Sequence, residues 1–400
     1  MRMFRSMIAS AALLAATSAR AQPVVVADSG DTAWVLAAAV LSLIAILPGL
    51  AMFYGRGNVA RTGFALFGSV AVTSLLFAAI GYSLAFGAGS SLLGGASNAM
   101  LANLSDLLDG STISEAVYAL FETVAALLAV GILCASVAEK ARPAWLVPFS
   151  GVWLLIVYVP VARGVWPGWL GELGTLDYAG GIVIQLTAGI AALVIGFLLR
   201  SPTAIDEPQD SPPAVAGAAL LWVGFLAFLG AAALGGSADA ATAIINGHLA
   251  ASAAIVVGMA IERWRTGSAS VGVLANNAVA GLAAVAAAGA LVSTSGAIAL
   301  GALGALAAWM AASFVQRARL GGAASAFAIH GAAAMVGAIL FPLFMLPAFG
   351  GSGFSDVNGL MTQLAAQGVA VLAVTLWTAV ATVIVALMIS VVVPMRDVRG

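Results

Sequence analysis

Three polar side chains set in apolar sequence, Asp177, Gln185 and His330, are the residues of this chain whose types and spacing could do chemistry. Asp177 to Gln185 reads DYAGGIVIQ, an acid, two adjacent glycines and an amide at the head of an apolar run that continues to Arg200. If the stretch is helical, the eight residues from acid to amide rise about 12 Å. An ionisable side chain at a membrane boundary, with a hydrogen-bonding side chain deeper in, reads as part of a solute path. His330 stands in a second such stretch, ASAFAIHG, together with Ser325.

The remaining reactive types narrow the chemistry. Glu122 is a carboxylic acid inside an apolar run, where it must be protonated or hydrogen-bonded; a structural role fits it as well as a functional one. His248, two residues after Asn246, is a lone histidine on an apolar helix, more often a packing residue than a ligand. With His248 and His330 as the two histidines, no histidine-rich metal site is expected and no cofactor is implied. Cys134 reads as a small buried hydrophobe, and one cysteine makes neither a disulfide nor a thiolate cluster. No nucleophile, base and acid group together, so enzyme chemistry is not expected.

These residues must be positioned by membrane helices. The chain has 400 residues, is 62% hydrophobic and only 8% charged, against about 25% charged in soluble proteins; its mean hydropathy is +1.11. It reads as an all-α polytopic membrane protein whose main partner is the lipid bilayer. No basic patch with interleaved aromatics points to nucleic acid. The N-terminus has Arg2 and Arg5, a short apolar run from Met7 to Ala16, and Ala19-Arg20-Ala21. That pattern predicts a signal peptide over 1–21, cleaved after Ala21, with residues 22–400 delivered to a bacterial inner membrane; the alternative is a retained amphipathic anchor.

Apolar runs of spanning length fall at about 32–54, 62–86, 115–138, 144–162, 178–200, 213–235, 239–261, 270–292, 294–315, 324–347 and 361–393, giving eleven transmembrane helices. The eighth and ninth are so close that they must form a tight hairpin. Lys and Arg concentrate in cytoplasmic loops. With the N-terminus outside, Arg56, Arg61, Lys140, Arg142, Arg200, Arg263, Arg265, Arg317, Arg319, Arg396 and Arg399 fall inside and only Arg163 outside, so the reading is N-out and C-in. If 32–200 and 213–347 are two five-helix repeats, the second runs opposite to the first. This is the 5+5 inverted repeat common in transporters, with 361–393 as a long eleventh helix. The 46 glycines suit close backbone approach between helices.

Several blocks, in order, resemble the family of ammonium transporters, methylammonium permeases and Rhesus proteins. DTAW (Asp31 to Trp34) with PGLAMFYG (Pro48 to Gly55) is similar to its first span, and GYSLAFG (Gly81 to Gly87) to the end of its second. SVAEKAR (Ser136 to Arg142), VPVARGVW (Val159 to Trp166), DYAGG (Asp177 to Gly181) and HGAAAMVGAIL (His330 to Leu340) follow in the family's order. The resemblance implies a homotrimer with one path per subunit, importing ammonium (methylammonium as analogue) for nitrogen uptake. The cargo would move as ammonia plus a separately relayed proton, or as ammonia alone in the Rhesus branch. A bare ion is costly in a low-dielectric pore and neutral ammonia is cheap, so the path must recruit the ion and deprotonate it.

The resemblance also assigns roles. Trp166 matches an outer-vestibule tryptophan that attracts ammonium by cation–π interaction worth about 0.5–2 kcal/mol, although an interfacial belt tryptophan is the alternative. Asp177 matches the acid that caps the fifth helix and stabilises the cation site, two roles compatible with each other. Phe121 and Phe228 match phenylalanines near the outer end of the path, Phe228 being one of the gate pair. The other gate position, four residues after Phe121, is Ala125, and the family's small hydroxyl beside the tryptophan is replaced by Ala232. In the family, two touching histidines, from the fifth and tenth helices, hold and pass a proton. Here the tenth-helix member is His330 and the fifth-helix position is Gln185, which bonds hydrogen but does not titrate near neutrality. Ser325 stands where the family often has an acid, and Glu122 where glutamine is more usual.

The chain therefore reads as an ammonium transporter or ammonia channel with altered proton handling. The alternative is a transport-impaired ammonium sensor or a modulatory subunit; a third reading is a pore for another small solute such as water or carbon dioxide. Only Pro394 to Gly400 follow the last helix, so tail-mediated docking of a PII-class signalling protein is not expected. A reporter fused at Gly400 is predicted to be cytoplasmic, and an external signal would overturn the orientation.

Overall fold

The computed structural model describes residues 26–200, 210–315, 318–354 and 359–396. The predicted signal peptide at 1–21, and Arg317 and Arg399 of the topology argument, lie outside them. The described residues form a helical bundle with ten helices long and apolar enough to cross a membrane, plus one shorter apolar helix. In chain order they are α1 Ser29–Tyr54, α2 Val59–Phe86, α3 Glu115–Val137, α4 Pro143–Glu172, α5 Gly181–Leu198, α6 Pro212–Ala231, α7 Ala238–Thr266, α8 Val271–Val285, α9 Thr294–Val315, α10 Gly322–Phe344 and α11 Gly359–Val392. These match the eleven apolar runs. The eighth is the short one because its last turn is separated off as a tight turn, Gly289–Leu291, that carries the chain into α9.

Short polar residues start many of these helices. Asp28, Asn58, Ser114, Ser211, Ser237 and Ser270 each accept a hydrogen bond from the backbone N–H three residues on, satisfying a donor that the first turn leaves unpaired. α3 forms the centre, since 89% of its most apolar window is buried, whereas α2, at 28%, is peripheral. At about 51 Å of rise, the 34 residues of α11 exceed a hydrocarbon core of about 30 Å. The helix packs along α4, α5 and α10, and Gln367 ties its first half to them by donating to the carbonyls of Leu176 and Ala338.

Two antiparallel helix pairs hold the bundle together, and they are the pairs that a five-plus-five inverted arrangement requires. Along α1 and α6, Gly217 lies against Phe53, Gly224 against Ala45 and Gly230 against Trp34, so one helix climbs as the other descends. The start of α5 packs against the end of α10 and its end against the start of α10. They cross where Gly189 lies directly on the backbone of Gly331. Small residues let backbones meet where lipid offers no hydrophobic drive to associate.

Arg163, the one basic residue assigned to the outside, is explained by its surroundings. Its side chain is buried, and the guanidinium donates to the carbonyls of Ala85 (3.2 Å), Gly87 (2.9 Å) and Ser90 (2.6 and 3.0 Å). The charge sits on the carbonyl end of α2, where the helix dipole favours a cation. It is a fastener between α2 and α4 rather than a free loop charge.

Gly189→Val tests the crossing of α5 and α10. A side chain there meets the backbone of Gly331, and overpacking costs about 1–3 kcal/mol. The variant is expected to unfold at lower temperature in detergent; an unchanged midpoint would contradict the packing.

Candidate functional site

α5 begins only after a turn that its sequence dictates. Gly180 has φ +73, a left-handed conformation suited to glycine, and Tyr178 and Ala179 anchor the turn by donating to the carbonyls of Ala287 and Ala286. Asp177 stands just ahead, where one carboxylate oxygen accepts from the N–H groups of Ile182 (3.0 Å) and Val183 (2.9 Å). It caps the helix instead of being its first residue, so the straight eight-residue rise read from the sequence does not apply. The first turn, Gly181–Leu186, is itself a wide π-helical turn in which the Gln185 N–H reaches back to the Gly180 carbonyl.

His330 sits in the same kind of turn. Phe327–Ala332 in α10 is also π-helical, a form that inserts one residue and re-aims the side chains near it. From these two turns, Gln185 and His330 meet in the middle of the bundle. Gln185 Oε1 lies 2.6 Å from His330 Nδ1, and both side chains are buried. An amide oxygen can only accept, so the proton of the imidazole is on Nδ1 and Nε2 keeps its lone pair. Nε2 has no hydrogen-bond partner among the described residues. The pair lines an apolar cavity with Leu128, Ile132, Leu221 and Phe225, of about 10 Å³, room for about one water-sized molecule.

The remaining predicted site residues form two further pairs near the end of the bundle where α5 starts. Phe121 and Phe228 stack face to face, with centroids 5.0 Å apart and planes 20° apart. Trp166 stacks on Phe86 at 6.0 Å and donates its indole N–H to the backbone carbonyl of Asp177 at 3.0 Å. The structure thus joins Trp166 to Asp177, Phe121 to Phe228 and Gln185 to His330. Among the described residues no ring contact links Trp166 to the phenylalanine pair. Ala125 is fully buried and places no ring in the path.

Glu122 is buried, hydrogen-bonded to Tyr118 one turn earlier, and leaves its Oε2 without a partner. His248 differs from the sequence reading. It is exposed on the outer face of α7, 5.4 Å from the ring of Trp222, instead of being packed in the core. No group of three His, Cys, Asp or Glu among the described residues could hold a metal ion. Sequence reasoning missed Tyr54, whose ring centre is 6.3 Å from that of His330 and whose buried hydroxyl lacks a partner. Its signal was its place at the end of PGLAMFYG.

The cap can be separated from other roles of Asp177. Removing a capping side chain costs about 0.5–2 kcal/mol, so Asp177→Ala should lower the thermal midpoint while Asp177→Asn, which keeps an acceptor oxygen, should retain most of it. Equal losses in both would show that the charge, not the cap, holds the turn.

Comparison with known proteins agrees with this architecture. The profile of the Ammonium Transporter Family matches residues 33–398. A putative ammonium transporter of Methanothermobacter thermautotrophicus is 34% identical, covering 90% of this chain and 92% of that protein. The ammonium transporter of Bacillus subtilis is 32% identical, covering 92% and 93%. The crystal structure of Saccharomyces cerevisiae Mep2 superposes with a TM-score of 0.84 at 25% identity, over 93% of this chain and 90% of that one. A match over nearly the whole length, on a fold of eleven apolar helices, means that the chain belongs to the Ammonium Transporter Family, whose members are membrane transporters of ammonium and not enzymes.

Proposed function

We propose that the protein carries ammonium nitrogen across the bacterial inner membrane as ammonia, without relaying the proton through its pore. The observation that carries this reading is the 2.6 Å contact between His330 Nδ1 and Gln185 Oε1. A pair of imidazoles can exchange a proton along the contact. An amide cannot take one up near neutrality, so Gln185 orients His330 and the transfer stops there. Ammonia, neutral and the size of water, suits a cavity of about 10 Å³ with mostly apolar walls.

The other pairs act in sequence before it. Trp166 offers a ring face to the cation, and the Asp177 carboxylate, at the start of α5, adds favourable electrostatics. The stacked rings of Phe121 and Phe228 form the gate that ammonia passes once the ion has given its proton back to water on the side of Trp166. Residues 32–200 and 213–347 act as opposed halves around this path, with 361–393 bracing them. The N-terminus lies outside, after removal of 1–21, and the C-terminus lies in the cytoplasm. The assembly is a homotrimer, supported by His248: a histidine exposed in the middle of α7 is costly in lipid and is better covered by another copy of the chain.

Labelled methylammonium uptake, with membrane current recorded, tests the central point in the wild type and in Gln185→His. The wild type is expected to take up substrate without current, and the histidine to introduce one. No uptake by either protein would overturn transport and favour the sensor or modulatory reading, to which Gln185, Ala125 and Ala232 would then all belong. A current of wild-type origin equal to that of the variant would overturn the assignment of Gln185 as the break in the relay.

A further inference from the structure

We propose that the cavity at the other end of the bundle from Trp166 is a binding site for a small oxyanion, a phosphate or carboxylate compound, and that its occupancy closes the exit beneath His330. The cavity, about 430 Å³, is enclosed by the ends of α1, α3, α7 and α9 and the beginnings of α8 and α10. That is within the range of small-molecule sites, about 300–1,000 Å³.

Its walls are rich in donors. The Tyr54 hydroxyl, the Ser325 hydroxyl and the Trp309 indole N–H all line it, and all three are buried atoms without a hydrogen-bond partner. An indole N–H can only donate, and the two hydroxyls are free to do so, so the three together ask for a molecule that accepts. The N-terminus of α10 also opens here. Gly321, Gly322 and Ser325 border the cavity, and no side chain caps this helix. An uncapped helix N-terminus adds free N–H groups and the positive end of a dipole.

Charge points the same way. Arg56, Lys140 and Arg265 line the cavity against Glu139 and Glu262, a surplus of one positive charge. Glu139 already accepts from the Gly57 N–H. Arg265 lies 5.7 Å over the ring of Trp309, so a cation and an unpartnered donor share one wall. Its ion pair with Glu262 is long, at 3.7 Å, and partly exposed, so it competes weakly with an incoming anion. Ser325 is neutral, so the start of α10 places no negative charge in the way of such a ligand.

The position gives the consequence. Tyr54 is both a wall of this cavity and the ring neighbour of His330, so a bound anion stands between the pore and the aqueous phase. Under the proposed orientation that phase is the cytoplasm, and the ligand would slow release of ammonia. This last step rests on the transport reading; binding does not.

Binding is measured first, by isothermal titration of the purified full-length protein in lipid nanodiscs with inorganic phosphate and, separately, with succinate. Saturable binding of either is expected, and the two titrations decide between a phosphate and a carboxylate ligand. Arg265→Gln and Trp309→Phe, each checked for an unchanged elution volume, should weaken it by about tenfold or more, the effect of losing one charge-assisted or buried hydrogen bond. No saturable binding of either anion, or binding by both variants as tight as that of the wild type, would overturn the site. The same anion, loaded into the lumen that faces this cavity in proteoliposomes, should slow methylammonium uptake by the wild type and spare Arg265→Gln. Binding with unslowed uptake would overturn the closing of the exit while leaving the site in place. Binding by a protein that takes up nothing would instead count against the transport reading.

Discussion

The close crossing of α5 and α10 is the constraint on which the rest of the structure depends. Because Gly189 and Gly331 bring the two backbones together, the π-helical turns that carry Gln185 and His330 face each other across a single hydrogen bond. A larger side chain at the crossing would part them, and two polar groups would be left unpaired in an interior where that is costly. The antiparallel pairing of α1 with α6 repeats the same solution. Tight backbone contact is thus both the means of association in lipid and the means of aligning the chemistry.

Much of the fold was legible in the sequence, because membrane spans announce themselves by length and apolarity. All eleven runs became helices, and the bias of basic residues was so nearly complete that its one exception, Arg163, turned out to be a buried fastener. The pairing of Gln185 with His330 was legible only through the family resemblance. Nothing in local periodicity says that residues 145 apart will touch. The π-helical turns were not legible, since one extra residue per turn leaves no pattern in an apolar run where every position is acceptable. His248 was misread for a related reason: periodicity cannot distinguish the inward face of a helix from the outward one when both are apolar.

The two ends of the bundle differ in what they offer a solute. The end bearing Trp166 presents a π-face, a carboxylate and carbonyl oxygens, which suit a cation. The other end presents hydroxyls, an indole N–H and a surplus of basic side chains, which suit acceptors. Between them lies the small, mostly apolar cavity beside Gln185 and His330, where neither sign is welcome. The electrostatic contrast lies between the two ends of the bundle and arises from side chains there, so under the proposed function the middle is left to select by size and neutrality.

The indole N–H of Trp166 rests on the carbonyl of Asp177, and the same aspartate's carboxylate fixes the first turn of α5. Two residues past Val183 and three past Ile182, that helix presents Gln185. The indole of Trp166 and the amide that aligns the histidine are therefore mounted on one bracket. A change at position 177 that loses the cap also shifts the first turn of α5 and, with it, the partner of His330, so the two ends of this segment cannot be altered independently.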